Sequence, residues 1–124
     1  MSPELLHAEL TESIIGAAMT VLNVLRPGLD EKIYENALVI ELKKRGQRVE
    51  QQRQFPVNYD EQLVGTLIPD LIVDERVLVD CKVVSAFNES HQAQMLGYLN
   101  ITSHQVGVLL SFKNVRLEWK RMVV

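Results

Sequence analysis

Leu67-Ile68-Pro69-Asp70-Leu71-Ile72-Val73-Asp74-Glu75-Arg76-Val77-Leu78-Val79-Asp80-Cys81-Lys82-Val83-Val84 is the stretch whose reading decides the fold. Two apolar runs rich in β-branched residues flank the polar break Asp74-Glu75-Arg76. That pattern predicts two strands joined by a tight turn. A turn centred on Glu75 pairs 73 with 77, 72 with 78, 71 with 79 and 70 with 80. Asp70 then lies across from Asp80, with Cβ atoms about 4.5–5.5 Å apart. Lys82, two residues beyond Asp80, points to the same side. An otherwise hydrophobic hairpin thus carries two acids and one amine on one face. A slip of one residue would undo the arrangement, because successive side chains alternate between faces.

Two carboxylates at that separation repel each other, and burial raises the cost. A divalent cation removes the penalty. Mg²⁺ prefers oxygen ligands in octahedral geometry and takes one or two protein carboxylates. Asp70 and Asp80 fit that habit, and the backbone carbonyl of Cys81 offers a third oxygen. Such an ion acidifies a water and clamps a phosphate oxygen. Lys82 then orients the attacking water or stabilises charge developing on the phosphate. The competing reading is an internal ion pair between Lys82 and either aspartate in a structural sheet.

Pro69-Asp70 with Asp80-Cys81-Lys82 resembles the signature of the PD-(D/E)xK nuclease superfamily. From about Leu10 to the C-terminus, the chain resembles one small branch of it, the GxxExxY proteins. The branch motif reads Gly28-Leu29-Asp30-Glu31-Lys32-Ile33-Tyr34, and Gln94-Met95-Leu96-Gly97-Tyr98 follows the Asp-x-Lys strand in the expected order. The resemblance implies Mg²⁺-dependent phosphodiester hydrolysis, with Mn²⁺ as substitute and DNA as substrate. It implies that Glu31 completes the metal site, and that Gln94, supported by Tyr98, contacts the metal-bound water or the substrate. It departs from the branch at Asp80, where glutamate is more usual, at Arg26, where glycine is more usual, and at Leu22, where histidine is expected.

A chain of 124 residues predicts one domain spanning 1–124. A hydrophobic content of 47% suits a folded protein. No apolar run approaches the roughly 18 residues of a membrane span. Met1-Ser2-Pro3-Glu4 lacks the basic start of a secretory signal, and one cysteine excludes an internal disulfide. A cytoplasmic protein is the expectation. Cys81 alternates with Asp80 and Lys82, so it faces the apolar side as a packed thiol. The net charge of −3 argues against a non-specific coat on nucleic acid but leaves room for local basic patches.

Periodicity predicts a helix from Leu10 to Leu25, capped by Thr11, with an apolar stripe of Ile14, Ile15, Ala18, Val21, Leu22 and Leu25. A second helix runs from Glu31 to about Arg45, capped by Asp30. On it, residues 31, 34, 35 and 38 share one face, so Glu35 competes with Glu31 for any role at the site. First-turn acids also answer the helix dipole, and Tyr34 serves either substrate contact or the core. Lys43, Lys44 and Arg45 at the helix end read as a phosphate-contacting patch or as a solvated terminus. Val49–Tyr59 and Leu63–Val73 read as strands with a turn at 58–62, and Pro56 pushes the first toward an edge. Then come the Val77–Val84 strand, a helix of about 90–101, a strand over Gln105–Phe112 and an edge strand over Leu117–Val124. His91, at the start of the third helix, reads as a substrate contact or a surface residue. Lys113, Arg116, Lys120 and Arg121 read as a second basic rim.

The predicted fold is α/β: a restriction-endonuclease-like core, with a mixed four- to five-stranded sheet and helices on both faces. The predicted function is a metal-dependent nuclease acting as a two-fold homodimer. The alternatives are a non-catalytic nucleic-acid- or protein-binding module that keeps the nuclease fold, and a subunit that cuts only with a protein partner.

Overall fold

A computed structural model describes residues 6–124. The reading of Met1 to Glu4 lies outside them. The central hairpin forms as predicted. β4 (Leu71–Val73) and β5 (Val77–Lys82) pair antiparallel, with Leu71 opposite Val79, Ile72 opposite Leu78 and Val73 opposite Val77. Asp74 and Glu75 take left-handed φ values of 51° and 56°. The Arg76 N–H closes the turn on the Val73 carbonyl at 3.0 Å. Two successive left-handed residues give a hairpin turn whose twist matches that of its strands.

The hairpin sits inside a five-stranded sheet with β1 (Val49–Gln51), β6 (Val106–Ser111) and β7 (Glu118–Val123), in the order β1-β4-β5-β6-β7. β5 and β6 run parallel, and the other neighbours run antiparallel. Three helices cover it: α1 (Ala8–Leu25), α2 (Glu31–Lys44) and α3 (Glu89–Thr102). The odd-numbered side chains of β4 and β5, from Leu71 to Cys81, pack with Ile14, Val21, Tyr34 and Leu38 of α1 and α2. On the other face, Ile72 and Leu78 pack with Met95 and Leu99 of α3 and Leu109 of β6. Apolar side chains on both faces are what a sheet covered on both sides requires.

Two expected strands are each cut in two. Val49–Tyr59 yields β1 and β2 (Phe55–Tyr59); Leu63–Val73 yields β3 (Gln62–Leu67) and β4. β2 and β3 pair only with each other, as a ribbon separate from the main sheet. Gln52, in a left-handed conformation at φ 59°, turns the chain out of the sheet. Pro69, which has no N–H to donate, lies in the stretch where the chain returns. Tyr59, Leu63 and Val64 are exposed on the ribbon.

Other local expectations also change. α1 starts before Thr11, after a left-handed His7, and Thr11 is buried inside the helix. Asp30 precedes α2 but makes no side-chain capping bond. α1 is long and apolar enough to cross a membrane, contrary to the expectation for this chain. However, its Ile14, Ala17, Ala18, Val21 and Leu22 are buried against α2 and the sheet, which accounts for its apolarity as that of a core helix. β7 is an edge strand, as its irregular alternation predicts.

Gly107 sets how closely α3 lies on the sheet. A Cβ there would meet the Met95 Sδ and come within 2.9 Å of its Cγ. Gly107→Ala should destabilise the protein by about 1–3 kcal/mol, the usual cost of overpacking a core. Met95→Ala in the same chain should recover part of that loss in a denaturant-unfolding double-mutant cycle.

Candidate active site

The end of the β4–β5 pair away from its turn gathers the polar residues that the sequence singled out. Asp70, just before β4, turns one carboxylate oxygen, Oδ2, onto the Cys81 N–H at 2.8 Å. Its other oxygen, Oδ1, accepts from the Gln52 amide at 3.4 Å. Asp80 is 7% exposed, and its Oδ2 accepts from the Lys82 Nζ at 2.9 Å. Burial pushes the Asp70 carboxyl up to about 8, and the Asp80 charge and a hydrogen bond between the two carboxyls push the same way. The Cys81 N–H works against them. Burial pulls the Lys82 ammonium down, but the hydrogen bond and charge of Asp80, with Glu31 and Asp70 beyond, hold it above its ordinary value. Cys81 itself is 1% exposed, on the opposite face as predicted, and burial pushes its thiol well up.

α2 delivers two glutamates to this end of the sheet. Glu31 Oε1 accepts from the Val83 N–H at 3.1 Å, tying the first turn of the helix to the chain beyond Lys82. Glu35, one turn on, is 3% exposed. Its Oε2 accepts from Gln51 at 2.7 Å, Lys32 at 2.9 Å and Gln52 at 3.0 Å. A buried carboxylate with three donors is stable where an unpaired one would not be. From α3, the Tyr98 hydroxyl lies in the field of the acids. Burial, then Asp80 and Asp70, raise its pKa, and Lys82 opposes them. Gln94 is exposed one turn earlier on the same helix.

Several expected contacts are not at this end. Tyr34 is fully buried and stacks on Phe112 at 4.8 Å. Its hydroxyl donates to the Arg26 carbonyl at 2.6 Å and accepts from the Leu29 N–H at 3.1 Å. Tyr34 therefore holds the Arg26–Leu29 turn and has no surface to offer a substrate. Lys43, Lys44 and Arg45 lie at the far end of α2, about 20 Å along the helix from Glu31. Lys44 pairs with Glu41 at 3.4 Å, and Arg45 reaches the Ser13 carbonyl at 3.4 Å. They form a helix terminus braced on α1 rather than part of the acid cluster. His91 closes a capping box: its Nδ1 accepts from the Asn88 N–H, and its own N–H donates to Asn88 Oδ1.

Sequence reasoning missed Gln51 and Gln52. No periodicity marks them, because they contact Glu35 across a break in strand structure. It also missed Ser111, whose Oγ donates to the Val84 carbonyl at 2.6 Å and accepts its N–H at 3.0 Å, fixing the end of β5. A hollow of about 790 Å³, lined by His7, Gln47, Asp74 and Arg76 among others, lies at the opposite end of the hairpin from the acids.

Among the described residues, no group of three or more His, Cys, Asp or Glu side chains gathers as a complete metal cage. The acid pair nevertheless fits a small divalent ion. Two carboxyls pressed together share the single Lys82 ammonium, 2.9 Å from Asp80, so with both ionised one negative charge is left for a cation to offset. One or two carboxylates with the remaining positions left to water is the habit of Mg²⁺.

A five-stranded mixed sheet with helices on both faces and an acid pair and lysine at one strand end defines a class: the restriction-endonuclease-like α/β fold. The chain belongs to the PD-(D/E)XK nuclease superfamily, whose family model matches residues 8–122. Nucleases of this superfamily generally use divalent metals. The fold is similar to that of SSO0001, with a TM-score of 0.60 and 17% identity over 94% of this chain. This chain spans 58% of that one. It is also similar to LHK-Exo, an alkaline exonuclease from Laribacter hongkongensis, with a TM-score of 0.50 and 12% identity over 91% of this chain and 81% of the other. The structure of LHK-Exo in complex with dAMP matches with the same TM-score and identity. Comparison with curated protein sequences gives no match.

Two measurements test this arrangement. Tyr34→Phe leaves the part-buried Arg26 carbonyl and Leu29 N–H without their partner, so it should cost about 1 kcal/mol in unfolding. Metal binding per folded molecule should be unchanged. The second concerns pH. Asp70 holds its proton more tightly folded than unfolded, so the folded state binds more protons between about pH 4 and pH 8. Stability of the metal-free protein should therefore fall as pH rises through that window. Thermal unfolding in EDTA should show the decline, and Asp70→Asn should flatten it.

Proposed function

We propose that this chain is a metal-dependent nuclease that hydrolyses phosphodiester bonds in DNA. One observation carries the reading: Asp70, held by the Cys81 N–H at 2.8 Å, and Asp80, paired with the Lys82 ammonium at 2.9 Å, stand at the same strand end. Asp70, Asp80 and the Cys81 carbonyl would hold Mg²⁺, or Mn²⁺ in its place, with Glu31 at the edge of the site. When bound, the ion supplies positive charge against the phosphate and acidifies a water.

The chain's own residues do the rest. Lys82 stays protonated near neutral pH, because Asp80 holds its pKa up. It is therefore a donor and a fixed positive charge, suited to orienting a water and to stabilising charge that builds on phosphate oxygens. It is not a base. Tyr98 also keeps its proton, because burial and the charges of Asp80 and Asp70 raise its pKa, and so is assigned the role of a donor to substrate. Gln94, exposed on α3 one turn before Tyr98, is assigned contact with the substrate in this reading. Glu31 joins α2 to the end of β5, so substrate pressing on Lys82 meets a braced backbone.

DNA as substrate is supported by the superfamily and by the deoxynucleotide in the LHK-Exo complex. The Gly28 to Tyr34 motif supports membership of the GxxExxY branch, and cytoplasmic residence and a two-fold homodimer belong to the same reading. A cleavage assay on single-strand, duplex and branched DNA and on RNA, with Mn²⁺, tests it. Lys82→Ala should lower the rate roughly 10²–10³-fold. Calorimetry should show Mg²⁺ or Mn²⁺ binding that Asp70→Asn abolishes. Cleavage that is equal in wild type and Lys82→Ala would overturn the catalytic reading. Ion binding without cleavage would favour a subunit that needs a protein partner, and no ion binding would favour a non-catalytic module.

A further inference from the structure

The Asp70 carboxylate is held at both oxygens. Cys81, its neighbour across the strand pair, accounts for one. The other belongs to Gln52, which stands outside the family signature and outside the sheet. Gln52 makes three contacts here. Its N–H donates to the Asp70 carbonyl at 2.9 Å. Its side-chain nitrogen lies 3.0 Å from Glu35 Oε2 and 3.4 Å from Asp70 Oδ1. A primary amide has two N–H donors, so one nitrogen can serve both carboxylates together. Its backbone is left-handed at φ 59°, a conformation uncommon for a residue with a side chain. The chain keeps that conformation at the point where β1 ends and the ribbon departs, and it aims the amide between two acids.

Glu35 is the anchor. It is 3% exposed and binds Lys32 and Gln51 as well as Gln52, so the amide has one fixed end and one end directed at the site. This gives the second glutamate of α2 a function distinct from that of Glu31. Glu31 braces the end of β5, while Glu35 holds the residue that holds Asp70.

We propose that Gln52 is a positioning residue that sets the orientation of the Asp70 carboxylate for the ion, with Glu35 as its anchor. The proposal rests on the metal site of the preceding section. It accounts for a left-handed glutamine at a strand end, for a buried glutamate with three donors, and for the placement of the second Asp70 oxygen. Neighbours that orient a metal-binding carboxylate typically change affinity or activity by about 10–100-fold when removed.

Gln52→Gly suits the left-handed backbone and removes the side chain that carries the amide. Gln52→Glu keeps the length but places a third carboxylate between two others. The test is calorimetry of Mn²⁺ binding to wild type and to both variants, with thermal unfolding of the metal-free proteins alongside. Gln52→Gly should weaken Mn²⁺ binding about tenfold or more, while its unfolding midpoint stays level or rises. Gln52→Glu should weaken it too, and neither substitution should raise KM for DNA as much as it lowers kcat. A residue that served only folding would instead lower the midpoint and leave the affinity of the folded fraction unchanged. If wild type binds Mn²⁺ and both variants match it, the positioning role is wrong and the metal site stands. If wild type binds no Mn²⁺, the metal site and the positioning role fall together.

Discussion

Two acids that would stay apart in water are forced together by the antiparallel register of β4 and β5. Leu71 opposite Val79 places Asp70 beside Asp80 one step further along. The turn at the other end, with its left-handed Asp74 and Glu75, keeps that step from slipping. A shift by one residue would send Asp80 and Lys82 into the face packed by α1 and α2, and Cys81 out of it. The apolar residues resist such a shift, because Val77, Val79 and Cys81 are buried on one face and Leu78 on the other. Hydrophobic packing thus maintains a charge arrangement that is unfavourable by itself.

The two faces of the sheet divide the work. One is a dry core under α1 and α2. The other is dry only where Met95 and Leu99 of α3 cover Ile72 and Leu78. Beyond that cover, the same face carries Asp80 and Lys82. α3 therefore closes part of the sheet and brings Tyr98 to the edge of what it leaves uncovered. Gly107, which admits Met95, allows the helix to lie that close.

The parts legible in the sequence were those governed by local alternation. Strand period and turn composition were enough for the Asp70, Asp80, Lys82 grouping and for the buried thiol of Cys81. The helices were legible from their apolar stripes, though not their caps: Thr11 looked like a cap and is core, because His7 starts the helix without a side-chain bond. Tyr34 and the Lys43 to Arg45 cluster carried chemistry suited to a substrate, but helix geometry sends the first inward and the second to the far end. Gln52 was illegible for another reason. Its contacts to Glu35 and Asp70 join positions far apart in sequence, and nothing periodic marks them. Charge pattern alone also could not show that Val49–Tyr59 and Leu63–Val73 each leave the sheet midway.

That departure has its own consequence. Gln52 and Asp70 are joined by a backbone hydrogen bond, so the ribbon between them begins and ends at one place. The closure of that excursion is fixed at its base and depends only weakly on how long it is. Beyond the base, Phe55 still packs against the α3 side of the core, but the exposed tip around Tyr59, Leu63 and Val64 does not. The chain thus has a natural graft point beside its acid pair, where the ribbon's tip can change length while its base stays closed.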